Sequence, residues 1–281
     1  MNDLQKCQLE ILKEFIRVCT KHHLQYYLVG GTCLGAVRHQ GFIPWDDDID
    51  VAMPRKDYDL FITMQDQMKP PYFIQTYRSD PNYIYNYAKV RDSSTTFIEN
   101  YFACHQINHG VWIDVFPLDG ISERDEAYAK FKRKIRYTWH QVYLMYLPSL
   151  KRKIRKETLI KDLALNLVAG LFCFLNIGKY RNKRVDRKVT RIDYDRAFLI
   201  ANYFGTNPSK EAMPKEIFLE GSKGTFEGID VILPKDYSRY LTLLFRDYMT
   251  LPPEDKRQGH HHDKGLSLNQ SYRDYMREHR M

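Results

Sequence analysis

Four aspartates fall within five positions, at Asp46, Asp47, Asp48 and Asp50, and their neighbours Trp45, Ile49, Val51 and Met53 are large and apolar. A solvated acidic run sits among polar residues, whereas this one reads as the start of a buried strand. Alternate residues of a strand share a face, so Asp48 and Asp50 are expected side by side. Carboxylates held that close repel each other and raise each other's pKa unless a cation lies between them. All-oxygen ligation by short carboxylates suits magnesium or manganese. Asp114 stands in a second apolar run, Trp112-Ile113-Asp114-Val115-Phe116, where it can complete a metal shell or take a proton from an attacking hydroxyl. Asp46 and Asp47 are supporting candidates, either as ligands of a second ion or as caps of the turn before the strand.

These side chains need elements to hold them. Apolar residues at Leu9, Leu12, Phe15, Ile16 and Cys19 predict a helix over Gln8–His22. Tyr26–Val29 predicts a short strand that runs into Gly30-Gly31, with Thr32 as the N-cap of a helix over Leu34–Arg38. A strand over Ile49–Met53 stops at Pro54, and a helix is expected over Arg55–Met68. Residues 83–91 and 95–99 read as extended, and 110–117 as a strand closed by Pro117. From Ser122 to Arg191 the pattern is helical, and Leu163–Ile177 is too short to span a bilayer and reads as a buried core helix rather than one lying in a membrane interface. A strand or hairpin over Thr225–Leu233 around Gly228, a helix over Pro234–Met249 and a polar, partly irregular tail complete the chain. The class is α+β, with a mixed-sheet core flanked by helices over residues 1–120 and a helix-rich region over 121–281 packed on it, on the acceptor or membrane side.

The order of parts carries the chemistry. Two glycines let a backbone approach a phosphate closely, and the start of a helix adds free N–H donors and partial positive charge. Asp48, Asp50 and Asp114 then place metal beneath that phosphate. The reaction class this implies is transfer of a phosphorus-centred group from a nucleotide-activated donor. The formal net charge of +8 and pI of about 9.1 favour anionic substrates or an anionic membrane surface. Nucleic acid would be attracted too, but no nucleic-acid module is visible, and none is expected as a partner. The basic residues crowd between Lys130 and Arg196, either as solvated helix faces or as a membrane-facing patch. Five scattered cysteines without a paired spacing argue for a reducing compartment, and the start MNDLQKCQLE has no apolar leader, so a cytoplasmic location is expected.

The segment from Gly30 to Val51, GGTCLGAVRHQGFIPWDDDIDV, resembles the signature of the LicD family, which includes bacterial phosphocholine transferases and is related to fukutin-type ribitol-phosphate transferases. The likeness continues through Lys89–Asp92, Trp112–Gly120, Phe226–Gly228, Pro234–Leu241 and Asp247–Pro253. It implies a nucleotidyltransferase-fold, magnesium-dependent enzyme. Such an enzyme passes phosphocholine from CDP-choline to a sugar hydroxyl of a glycan or lipid-linked glycan and releases CMP. It also implies Asp48 and Asp50 as metal ligands, Asp114 as the third carboxylate, and Gly30, Gly31 and Thr32 at the donor phosphate, where related enzymes often carry serine. Transfer of ribitol phosphate or glycerol phosphate from the matching CDP-alditol is the alternative within the class. A catalytically silent glycan- or membrane-binding protein is the alternative outside it.

Several residues keep two readings. Arg38, Lys89 and Arg91 are candidates to neutralise donor phosphates, or else surface ion pairs. Tyr83, Tyr85 and Tyr87 alternate and could wall a quaternary ammonium, although a packed core face is favoured. Glu99 is a ribose or base contact or a surface residue. His39 reads as structural, and His260-His261-His262 as part of the polar tail, because consecutive residues share no face.

Overall fold

The computed structural model describes residues 1–121 except 101 and 104, 159–205 except 175 and 176, and 210–279 except 258, 260 and 262, with scattered residues between 129 and 140. The expected helix start at Ser122 lies outside the described residues. The elements run α1 (Asp3–Lys21), β1 (Tyr27–Leu28), α2 (Gly30–His39), β2 (Asp50–Pro54), α3 (Arg55–Phe61), β3 (Tyr72–Gln75), β4 (Ala88–Asp92), β5 (Thr96–Glu99) and β6 (Val111–Ile121). They continue with α4 (Leu159–Phe174), α5 (Ile177–Val189), β7 (Leu199–Asn202), β8 (Ala212–Pro214), β9 (Ser222–Phe226), β10 (Ile229–Leu233), α6 (Tyr237–Phe245), β11 (Asp263–Ser267) and α7 (Tyr272–Glu278).

One mixed sheet organises the α+β fold. Its order is β1-β2-β6-β4-β3, with β7 added to β6 and β8 to β7. Among the described strands only β2 and β6 run parallel. The long, wholly buried β6 is the spine. It pairs with β2 on one side, and with β4 and then β7 on the other. Pro117 does not close this strand, contrary to the expectation. Asp114 donates its N–H to Ile49 on the β2 side, so the alternate position 117 faces the other edge. There, pairing to β4 ends at Val115 and pairing to β7 begins at Leu118. The missing proline N–H therefore falls in a gap where no partner waits.

Other boundaries moved for local reasons. α1 starts at Asp3 because Asn2 and Gln5 form a capping box. α2 starts at Gly30 with Val29 as its N-cap, so Thr32 is not the cap; its hydroxyl instead accepts the N–H of Asp50 at 2.8 Å. Residues 83–87 are not strand. Asn86 turns away to donate to the Asn182 carbonyl and the Asp186 carboxylate on α5. The hairpin does turn at Gly228, where Glu227 and Gly228 both have positive φ, as a two-residue turn between β9 and β10 requires. The tail is more ordered than its polarity suggests, since β11 pairs with β5 and α7 follows.

The apolar stretch of α4 is not buried: Leu163, Leu167, Val168 and Leu171 are all exposed. Among the described residues no helix is long and apolar enough to cross a membrane.

A buried ion pair ties α3 to the spine. Arg55 Nε and Nη2 both donate to the Asp119 carboxylate at 2.7 Å, and Asp119 is fully covered. Replacing Arg55 with Met strands that charge. The expected cost is about 3–5 kcal/mol of folding stability, checked by denaturant unfolding of the two proteins.

Candidate active site

The acidic residues converge where three strands and one helix meet. In the sheet, Asp50 on β2 stands opposite Asp114 on β6, and Asp114 stands opposite Lys89 on β4. The three side chains thus share one row on one face. Asp48 precedes β2 in an irregular segment, so it approaches Asp50 from the loop and not as its strand neighbour. α2 begins beside this row. Gly30 adopts φ +57°, and a Cβ there would lie 3.1 Å from Asp50 Oδ2; a Cβ on Gly31 would lie 2.9 Å from Asp46 Oδ2. The two glycines therefore let carboxylates close onto the positive end of a helix. The Gly30 N–H donates to the Tyr240 hydroxyl at 2.9 Å, which fixes the helix start against α6.

The loop carrying the aspartates is held by buried amides. Gln5 donates to the Asp46 carbonyl at 2.9 Å and Gln8 to the Asp47 carbonyl at 2.7 Å, both from α1. Glu227 fixes the preceding turn by accepting the Phe42 N–H at 3.0 Å, and its own N–H donates to Gln40. Gln5 and Gln8 show in the sequence only as polar residues on an apolar helix face, and Glu227 as a turn position within the Phe226–Gly228 stretch of the family likeness.

His261 corrects the polar-tail expectation. Its backbone N–H donates to Asp47 Oδ2 at 2.9 Å, its Nδ1 lies 3.0 Å from Asp47 Oδ1 and 3.9 Å from Asp48 Oδ2, and its ring meets Trp112 edge-on. His260 and His262 lie outside the described residues. The C-terminal strap passes closely here, since a Cβ on Gly259 would sit 2.5 Å from Asp47 Oδ2. A lone histidine within a tail had no periodicity to give it away; pairing of β11 with β5 delivers it.

Behind Asp114 lies a buried cationic layer. Lys89 Nζ is 3.1 Å from Asp114 Oδ1, 3.6 Å from Glu99 Oε1 and 3.9 Å above the Trp112 ring. Arg91 is fully buried and engaged by Gln75, by the Gly110 carbonyl and by Glu99. Glu99 is therefore neither at the surface nor free. Burial raises its pKa, but Lys89 and Arg91 outweigh that and hold it below the usual range. Arg38 donates to the carbonyls of Tyr248 and Thr250. Tyr85 stacks on Tyr87 at 4.8 Å, and Tyr87 packs on Phe116 at 4.6 Å, so these rings lie largely against each other. His39 meets Trp45 edge-on. One cleft, lined by Asp80, Asn108, Tyr272 and Arg273 among others, shares no residue with the acidic row.

Electrostatics mark the row as a place for cations. Burial pushes Asp46 up to about 6, against a hydrogen bond with Asp48 that lowers it; burial and then neighbouring carboxylates push Asp48 to about 7 and carry Asp50 well above its ordinary range. Asp114 is also raised, chiefly by burial, with Lys89 opposing. His261 is raised: burial lowers it, but Asp47 and Asp48 prevail. Asp114 Oδ1 is buried and, among the described residues, has the Lys89 ion contact but no well-aligned hydrogen bond. Among the described residues, Asp47, Asp48 and His261 form a set whose ligand atoms lie within 4.8 Å of one another. A crowd of carboxylates with one imidazole and an under-satisfied buried oxygen fits a divalent cation.

A carboxylate centre of this build, opened by two glycines at a helix start, suits a cation together with a phosphate. The family model described as "LicD/FKTN/FKRP, nucleotidyltransferase domain" matches residues 23–155. The lipopolysaccharide cholinephosphotransferase LicD of Haemophilus influenzae is 30% identical over 265 residues, covering 93% of this chain and 96% of that protein. Uncharacterized proteins of Rickettsia typhi and Rickettsia prowazekii are 28% and 26% identical, each over 52% of this chain and over 53% and 63% of their own lengths. The chain belongs to the LicD family.

The raised carboxylates make stability depend on pH. A folded pKa above the unfolded value near 3.8 favours the folded state at low pH, and that advantage is lost as pH rises through about 6 to 7. Without divalent cations the melting temperature is expected to fall across pH 5 to 7.5, and millimolar Mn2+ should cancel most of the fall. A flat or rising profile in chelator, recorded by calorimetry, would count against the crowding.

Proposed function

We propose that this enzyme transfers phosphocholine from CDP-choline to a hydroxyl of a cell-surface glycan precursor and releases CMP. Support comes from one observation above all: similarity across nearly the whole length to a protein described as a lipopolysaccharide cholinephosphotransferase, with the acidic row lying inside the matched family region. A lipopolysaccharide precursor is the acceptor that likeness favours, and teichoic acid or capsule precursors offer the same hydroxyl chemistry. We assign the reaction to the cytoplasmic side of the membrane. Residues 1–120 form the catalytic core in this reading, and residues 121–281 serve the acceptor and membrane side.

In this reading Asp48, Asp50 and Asp114 hold Mg2+ or Mn2+, with Asp46, Asp47 and His261 in support. The imidazole tilts the preference toward Mn2+. The bound cation would neutralise charge building on the departing CMP phosphate. The start of α2 at Gly30, Gly31 and Thr32 faces the donor phosphates, where its dipole favours negative charge. Asp114 receives the proton of the acceptor hydroxyl. Lys89 keeps Asp114 in place and balances its charge, and Arg91 holds Glu99 and through it Lys89. Arg38 braces the segment around Tyr248 and reaches the donor only if that segment shifts.

Because the matching family model also names fukutin-type members, transfer of ribitol phosphate or glycerol phosphate is the second reading. A catalytically silent binding protein is disfavoured, since buried carboxylates that raise each other's pKa are costly to keep without a use. Transfer to nucleic acid would show as competition by tRNA or homopolymer RNA, and none is expected.

The test is CMP release from CDP-choline, CDP-ribitol and CDP-glycerol, each with Mg2+ or Mn2+ and a glycan acceptor. CDP-choline should be turned over best. Asp50→Asn should lower the rate at least about 100-fold while the protein stays folded. Release from CDP-ribitol alone would move the assignment to the second reading, and a near-normal rate in Asp50→Asn would refute the carboxylate role.

A further inference from the structure

α4 carries an apolar stripe that the fold leaves outside. Ile160, Leu163, Leu167 and Leu171 recur at spacings of three and four, and Val168 flanks them, so they lie on one face. They are exposed, Ile160 by 85% and Leu167 by 74%. Large apolar side chains gathered on one exposed helix face mark an interaction site. Sixteen residues cannot span a bilayer but suit a helix lying in its surface.

The next helix supplies the matching charge. α5 is anchored on its inner side, where Val185 and Val189 join a small core with Ile121, Ala201 and Tyr203. On its outer side Lys183, Arg184 and Arg187 are exposed. An apolar stripe next to a basic face is the pairing that anionic lipid surfaces attract. A second copy of this chain is the competing occupant, but it would bring two such basic faces together on molecules that each carry +8.

α5 also connects this surface to the chemistry. Its Asn182 carbonyl and Asp186 carboxylate accept from Asn86, and Asp186 also accepts from Tyr77. Asn86 lies three residues before Lys89 (89 minus 86), whose strand flanks Asp114. We infer that α4 and the outer face of α5 form a docking surface for an anionic bilayer, which holds the enzyme where a lipid-linked acceptor can reach the acidic row. The docking itself does not depend on which phospho-alcohol is transferred.

The test is co-sedimentation of the full chain with vesicles of phosphatidylcholine alone or mixed with phosphatidylglycerol. Binding to the mixed vesicles and its weakening by salt are expected. The double variants Leu163→Glu/Leu167→Glu and Lys183→Glu/Arg187→Glu should each lose at least about tenfold in partitioning, with melting temperatures matching the parent. Two variants on different helices guard against misfolding of either. Failure of the parent chain to bind mixed vesicles overturns the inference, as does undiminished binding by both variants. So does a dimer in sedimentation velocity that dissociates in the α4 variant, because the stripe would then be its interface. CMP release in detergent solution, measured alongside, separates a failed docking surface from a failed transferase assignment.

Discussion

Repulsion between buried carboxylates is the constraint around which the rest of this structure is arranged. Burial raises the pKa of Asp46, Asp48, Asp50 and Asp114, and Asp46, Asp48 and Asp114 together push Asp50 higher still. Left alone, such a group would swell apart or stay protonated. The fold opposes this with backbone rather than bulk. Register fixes Asp50 beside Asp114, two glycines bring the start of α2 against the carboxylates, and Gln5 and Gln8 hold the loop by its carbonyls. The positive partners are Lys89, beside Asp114, and His261, beside Asp47 and Asp48.

That division explains why so many polar residues are buried nearby. Lys89, Arg91 and Glu99 form a layer stacked on Trp112, in which each charge has an opposite neighbour. A buried pair that loses one member costs far more than the pair contributes. Such a layer therefore behaves as a rigid floor that sets the position of Asp114. The acidic row sits at the parallel step between β2 and β6, and the long β6 links it to the second half of the chain through β7.

Much of this was legible in the sequence. The strands at Tyr27, Asp50 and Val111, the hairpin at Gly228 and the nearness of Asp114 to Asp50 follow from apolar runs, turn residues and the family likeness, whereas Asp48 arrives from the loop and not along the strand. What was not legible depends on partners distant in the chain. Pro117 reads as a stop because a single strand gives no hint of the gap between β4 and β7. Thr32 reads as a cap because its true partner, the Asp50 N–H, belongs to the next strand. His261 reads as tail because only the pairing of β11 with β5 carries it to Asp47. α4 reads as core because its composition is apolar, and composition does not say whether an apolar face is covered by protein or by something else.

The most direct measurement is a calorimetric titration of Mn2+ into the protein at pH 6.5, repeated in buffers of different ionisation enthalpy. Carboxylates pushed to about 6 and 7 hold protons at that pH, and a cation must displace them. Saturable binding with net proton release, abolished in Asp48→Asn, is the predicted result. Binding without proton release, or equally tight binding in Asp48→Asn, would contradict the account.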